Sequence, residues 1–476
     1  MSFSIGNHYS KRNVVKEGLD SVLVLDRPSK QMVYLLSMVI IITLGALSIP
    51  QMSYSATYYI SVTGNDSNPG TIELPWRTIQ KGANIAGPGD TVIVKSGNYD
   101  ERVTLPTGKS GTAGSSIVFR AEVNRSVYIK GFKSSSNNYI KVEGFNITYN
   151  AAGWTGGCIW LDGNNWEIVN NYFYEAACPA IQPTWQSGKT TNNIYVGNNY
   201  VYKCNSGFNV LGQSWLVENN EIERLIYSSY DADYVRFFGE NHVFRNNYFH
   251  GTLQSEIGGS HVDGFQTFEE SGGYARNIII ENNIVKGMYH EGIMATGADG
   301  SHDNIIVRNN IFANSDSWGI CIHGITNVKI YNNVFAYIYG SAIGLRAAAS
   351  RSKNPSTGEI KNNIIYEAGS LYWTEGGSTA NATNNLLYKS GITYNQSVYP
   401  NDILNIDPMF IDPAGSNFNL LAGSPAINAG ISLLGFSSDI RGESRPQGYA
   451  WDIGAYEYSE KYYPPAPPRS LRLAYP

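Results

Sequence analysis

Short runs of alternating apolar and polar residues recur along most of the chain. Each is followed by an Asn-Asn pair and then by another apolar pair. The pattern reads WEIVNNYF from 166, IYVGNNYV from 194, WLVENNEI from 215, HVFRNNYF from 242 and NIIIENNIV from 277. It continues as NIIVRNNIF from 304, NVKIYNNVF from 327, EIKNNIIY from 359 and ATNNLLY from 382. The first Asn of each pair stands at 170, 198, 219, 246, 282, 309, 332, 362 and 384, so the gaps run 28, 21, 27, 36, 27, 23, 30 and 22. A minimum near 21 with a variable excess describes a fixed coil carrying loops of different length. Alternation with period two predicts two or three short strands per unit and no helix. One such unit has nowhere to bury its apolar face, so neighbours must stack. The expected fold is all-β, a parallel β-helix solenoid. Asn suits its corners, because it tolerates the left-handed backbone region, and its amide can bond to the Asn of the next coil as a ladder.

A second set of strands precedes each Asn-Asn segment. Aligned by apolar centre, these are GCIWLDG at 157, PAIQPTW at 179, SGFNVLG at 206, DYVRFFG at 233, DGFQTFE at 263, EGIMATG at 291, WGICIHG at 318 and SAIGLRA at 341. Ile159, Ile181, Phe208, Val235, Phe265, Ile293, Ile320 and Ile343 are then expected to point inward, with their neighbours outward. Two residues before the centre stand Asp233, Asp263 and Glu291 on three consecutive coils, and just upstream lie Asp231, His261 and His290. One residue after the centre stand Gln182, Asn209, Arg236 and Gln266; three after it stand His323 and Arg346. Coils lie about 4.8 Å apart, so three acids in register need a cation, a shared proton or a nearby Arg. The longest gap, between Asn246 and Asn282, holds the loop GTLQSEIGGSH that leads into His261 and Asp263, and long loops in compact repeats are usually functional.

Composition sharpens this reading. Charged residues make up 15% of the 476, and the net charge is -5, which argues against a nucleic-acid binder. Hydrophobic residues at 42% and aromatics at 13% exclude disorder for most of the chain. In so uncharged a chain the acid row is the most informative feature. A groove built from uncharged polar and aromatic groups suits sugars, and Trp160, Trp185, Tyr230 and Phe238 are candidates to line it.

The ends carry separate signals. Met32 to Ile49 is apolar and uncharged, and Lys11, Arg12, Lys16, Arg27 and Lys30 precede it. That describes a signal peptide or a membrane anchor, with cleavage expected near Ser55 or Ala56. Residues 1–56 are thus expected to be a leader, 57–458 the β-helix domain and 459–476 an extended Pro-rich tail. The expected location is secreted or at the cell surface, outside the cytoplasm. Contact with the membrane is expected only through the 32–49 segment, and the protein is expected to be a monomer. Among the four cysteines, Cys178 and Cys204 fall at similar places in adjacent repeats and are the pair to test for a disulfide.

The repeat, the opening YYISVTGNDSNPGTIELPWRTIQKGANIAGPGDTVIVKSGNYDE and the closing NIDPMFIDPAGSNFNLLAGSPAINAG with DIGAYEY resemble the right-handed parallel β-helix proteins of the pectin-lyase-like superfamily, of the secreted polysaccharide-degrading type. The resemblance covers roughly residues 57 to 458. It implies that PWRTIQKGANIA forms a short amphipathic helix capping the solenoid. It also implies a polysaccharide substrate, with three classes open. A polysaccharide lyase acting on a uronic acid by β-elimination leads. It would use Ca²⁺, for which Asp231, Asp233, Asp263 and Glu291 are the candidate oxygen ligands. Asp233, Arg236, His261, Asp263 and Glu291 are its candidate catalytic residues. Lyases of this type use Lys or Arg as base; Arg236 is the one basic group inside the row, while His261 and His290 are better bases by intrinsic pKa. Gln266, His290, Asn209, His323 and Arg346 are candidate substrate-binding residues. An inverting glycoside hydrolase needs two carboxyl groups about 6.5–9.5 Å apart. A non-catalytic carbohydrate-binding protein needs only the groove.

Overall fold

The computed structural model describes residues 55–459, apart from short segments at 152–155, 187–188, 190, 228–230, 270–272, 298–299, 348–353 and 395–398. The leader with its 32–49 segment, Tyr230 and nearly all of the Pro-rich tail lie outside the described residues. Among the described residues no helix is long and apolar enough to cross a membrane.

The chain winds as a right-handed parallel β-solenoid. Its strands form two parallel sheets of 24 and 13 strands, and an antiparallel hairpin, Phe410–Asp412 with Asn417–Leu420, follows them. The alignment of apolar centres holds at every step. Ile159 pairs with Ile181, Ile181 with Phe208, Phe208 with Val235, Val235 with Phe265, Phe265 with Ile293, Ile293 with Ile320 and Ile320 with Ile343. All eight side chains are fully buried, so the column they form is the core. A helix, Ile79–Ile85, forms inside the segment expected to be helical. Thr78 caps it by accepting from the Lys81 N–H at 3.1 Å, and Ile79, Gly82 and Ala83 face inward.

The Asn-Asn pairs divide their labour. The first Asn of all nine pairs takes a left-handed backbone, with φ between 51° and 59°. It makes the corner. The second Asn builds the ladder. Asn247 donates its backbone N–H and its Nδ2 to Asn283 Oδ1 at 3.0 and 2.9 Å, and Asn283 repeats both bonds to Asn310. The same pair of bonds runs coil to coil from Asn171 to Asn385 and ends on Asp402. These second Asn side chains are buried, where an unmatched amide would be costly.

All four cysteines are free thiols. Cys178 Sγ lies 4.0 Å from Cys158 Sγ, on the preceding coil. The expectation for Cys178 and Cys204 is corrected accordingly: coil stacking brings Cys178 against Cys158.

Candidate functional site

The acid row sits where three strands begin. Asp233, Asp263 and Glu291 stand two residues ahead of Val235, Phe265 and Ile293, just before the sheet's own pairing starts. Their side chains take over that pairing. Asp233 Oδ1 accepts the Asp263 N–H at 3.2 Å, and Asp263 Oδ1 accepts the Glu291 N–H at 2.9 Å. The acids are therefore packed into the coil edge. Their exposures are 1%, 0% and 6%, where an outward-facing row was expected. The reason is parity: a residue two before an inward centre shares its side of the strand, and only the corner lets the carboxylate turn toward the outer face.

Burial is tolerated because every acid has a partner. Arg236, in the outward position one after the centre, pairs with Asp233 Oδ2. Gln266, its register neighbour on the next coil, donates from Nε2 to Asp263 Oδ2 at 2.8 Å. His290 Nδ1 lies 3.0 Å from Asp263 Oδ1 and also contacts Glu291. His261 Nε2 lies 3.2 Å from Asp231 Oδ2, and its Nδ1 lies 3.6 Å from Asp263 Oδ2. Ser317 Oγ donates to Glu291 Oε1 at 3.2 Å. The two imidazole rings face each other at 4.5 Å. Their side chains are 35% and 36% exposed, and Asp231 is 43% exposed. The solvent side of the cluster is thus two imidazoles and one acid, with three acids behind them.

The loop that carries His261 is anchored from below. It contains a short helix, Gln254–Ile257, whose Glu256 binds the Arg224 guanidinium and lies 3.5 Å from Lys203 Nζ. Thr252 Oγ1 lies 2.7 Å from the buried Tyr234 hydroxyl. The 36-residue gap therefore delivers a fixed histidine.

These contacts move the proton affinities. Burial raises Asp233, against the opposing charge of Arg236. Burial also raises Asp263, although the His290 bond opposes it. The His261 bond holds Asp231 below the usual carboxylate range, and that bond raises His261 against the effect of burial. Burial works to lower His290, but Asp263 and Glu291 outweigh it and push it up to about 10.

The expected calcium ligands do not converge. Among the described residues, the group in this region whose donor atoms lie within 4.8 Å of one another is His261, Asp263 and His290; Asp231, Asp233 and Glu291 do not join it. Two nitrogens and one oxygen are a poor match for Ca²⁺, which takes six to eight oxygens. Arg236 and the raised His290 place positive charge against Asp233, Asp263 and Glu291.

Two models of known families match this chain, one described as a Pel9A-like right-handed beta helix region over residues 58–220, the other as a right-handed beta helix region over 235–405. The chain belongs to the right-handed parallel β-helix proteins of the pectin-lyase-like superfamily. Curated relatives within reach of sequence comparison align over short stretches. An uncharacterized protein, YwoF of Bacillus subtilis, is 40% identical over 17% of this chain and 17% of its own length. Pectate lyase PEL9 of Emericella nidulans is 36% identical over 16% of this chain and 19% of its own. This chain thus spans less than a fifth of the length of the curated relatives it matches. Among solved structures, a GH136 lacto-N-biosidase from Eubacterium ramulus has the same fold, with a TM-score of 0.54 and 12% identity, over 75% of this chain and 72% of that one.

The remaining site expectations divide on this β-helix. Asn209 keeps its register beside Arg236, but its amide is spent on Gln182 Oε1. Gln266, expected to bind sugar hydroxyls, is buried against Asp263. His323 and Arg346 are in register with each other one step further on. His323 is buried with Nε2 3.3 Å from Cys321 Sγ, and Arg346 pairs with Glu375 at 2.6 Å. Neither reaches the acid cluster. Phe238, expected to line the groove, is buried in edge-on contact with Trp185 and Phe268. Ser317 escaped sequence reasoning, because it lies in a corner where no apolar alternation marks the register.

Proposed function

We propose that this protein is a polysaccharide lyase that cleaves a uronic-acid-containing glycan by β-elimination. One observation carries the reading: the groups that face solvent are two imidazoles and Asp231, backed by three buried acids. In this mechanism His290 enters as an imidazolium held by Asp263 and Glu291. It donates to the substrate carboxylate, where negative charge builds as the α proton leaves. His261, neutral, takes that proton at Nε2, because Nδ1 is enclosed against Asp263, and Asp231 stabilises the imidazolium that forms. The electron pair forms the new carbon–carbon double bond, the bond to the glycosidic oxygen breaks, and water protonates the leaving oxygen. Arg236 is too deeply buried against Asp233 to serve as base, so its role is to hold that acid ionised and the row in place.

The local likeness to a pectate lyase supports a polyuronate as substrate. A hydrolase would need two carboxyl groups facing the sugar with space for water between them, whereas here three carboxyls are enclosed. The apolar 32–49 segment behind five basic residues supports action outside the cytoplasm, and 57–458 is the domain to which the activity is assigned. The test is to incubate the protein with polygalacturonate and with alginate, and to follow both reducing ends and near-ultraviolet absorbance. Elimination raises both together. Reducing ends without absorbance would make the protein a hydrolase, and binding without either would make it a carbohydrate-binding protein.

A further inference from the structure

A cavity of about 530 Å³ opens on the same sheet, several coils before the acid row. Arg102, Lys133, Lys189, Asp162, Tyr149 and Trp160 line it. Three cations thus face one carboxylate, in a chain whose net charge is -5. Lys189 Nζ pairs with Asp162 Oδ2 at 3.0 Å. Lys133 is exposed and makes no ion pair among the described residues. Arg102 lies flat on Tyr149, its guanidinium carbon 3.6 Å from the ring centre, and Nη2 donates to the Gly157 carbonyl at 2.9 Å. Its other terminal nitrogen, Nη1, is buried and has no hydrogen-bond partner among the described residues. Ser134 and Ser136 add hydroxyls beside it, and the half-buried Trp160 offers an aromatic face, which suits the apolar face of a sugar ring.

The register ties this cavity to the proposed reaction centre. Lys133 is the β-partner of Trp160, and Trp160 of Gln182. The column continues through the Ile181–Phe208 pair to Asn209, which pairs with Arg236. Four coil steps separate Lys133 from Arg236, roughly 19 Å along the solenoid. We propose that the cavity is a distal subsite that holds one carboxylate-bearing sugar of the same glycan chain, the carboxylate between Arg102, Lys133 and Lys189 and the ring against Trp160. The proposal rests on the reading of the substrate as a polyuronate, but it concerns binding and not bond cleavage.

The experiment measures calorimetric binding of an oligogalacturonate hexamer, its carboxyl-reduced neutral counterpart and an oligogalacturonate dimer to the full chain and to Lys133→Ala, Lys189→Ala and Trp160→Ala. Charge-assisted contacts of this kind predict that each lysine variant binds the hexamer at least about tenfold more weakly. The neutral hexamer should be indifferent to the lysine variants and should weaken with Trp160→Ala. Lys133→Ala should melt with the parent, since Lys133 is exposed; Lys189→Ala removes the partner of the buried Asp162 and Trp160→Ala removes a half-buried ring, so both are titrated at a temperature where their melting curves show them folded. Loss of charge-selective binding in the lysine variants supports the subsite even if no unsaturated product ever forms, in which case the lyase reading fails alone. Equal binding of acidic and reduced hexamers by the parent, no binding of either, or lysine variants that bind as the parent does would overturn the subsite. A subsite that binds the dimer as tightly as the hexamer would contradict the shared-chain geometry.

Discussion

His261 and His290 carry opposite duties, and their proton affinities set a pH window. The proposed reaction needs His261 neutral and His290 charged. His261 is raised above its ordinary 6.5, so the acid limb of activity should lie above that value. His290 is pushed up to about 10, so activity should fall as pH passes it. A kcat/KM profile with an alkaline optimum between these limbs is the expected outcome; an optimum below pH 6 would assign the roles wrongly. His261→Gln should lower kcat by roughly 10²–10⁴-fold and remove the acid limb. His290 also links to stability. Its folded pKa lies above the unfolded one, so its contribution is complete below about 6.5 and is lost as pH rises through about 10. Arg236 belongs to stability as well. Arg236→Ala leaves Asp233 buried without its cation, a loss of about 3–5 kcal/mol, which denaturant unfolding would read. Asp233→Asn in the same chain should recover part of it. The partners of the acids were partly visible in the sequence, since Arg236, His261 and His290 all stood near the row. Their pairings were not, because alternation places side chains on faces and says nothing of which corner residue turns back.

At the scale of the coil, the corner and the ladder make separable predictions. Asn282 sits at φ 56°, so Asn282→Ala should cost about 1–2 kcal/mol of backbone strain, whereas Asn282→Gly should be tolerated. Asn283→Ala acts differently. It removes the acceptor of the Asn247 N–H and Nδ2, and each stranded donor costs about 1–3 kcal/mol. Asn283→Gly should therefore be as damaging as Asn283→Ala, and equal effects at both positions would contradict the division of roles. The coil length, the corner and the existence of a ladder were legible in the repeat. The division was not, because the two residues of each pair are chemically identical and only their positions on the turn differ.

Over the whole solenoid, the register is what brings distant residues to one place. Eight apolar centres, chosen for their alternation alone, pair one above the other, and this is why Asp233, Asp263 and Glu291 meet although the chain between them varies in length. The sequence reading stopped short on the same sheet. Alternation aligned the strands only from Ile159 onward, so Lys133, one coil before Trp160, and Arg102, two coils before it, were never placed beside it. Of the cation, shared proton or nearby Arg that the row was expected to need, the fold supplies the Arg, Arg236 on Asp233, and adds His290 on Asp263. The donor set predicts that activity on polygalacturonate survives a calcium-selective chelator. The measurement that bears most directly on the central claim is near-ultraviolet absorbance during digestion of polygalacturonate near pH 8.5 by the parent protein and by His261→Gln. The account predicts an unsaturated product from the parent and almost none from the variant. New reducing ends without absorbance, or an undiminished rate in the variant, would contradict it.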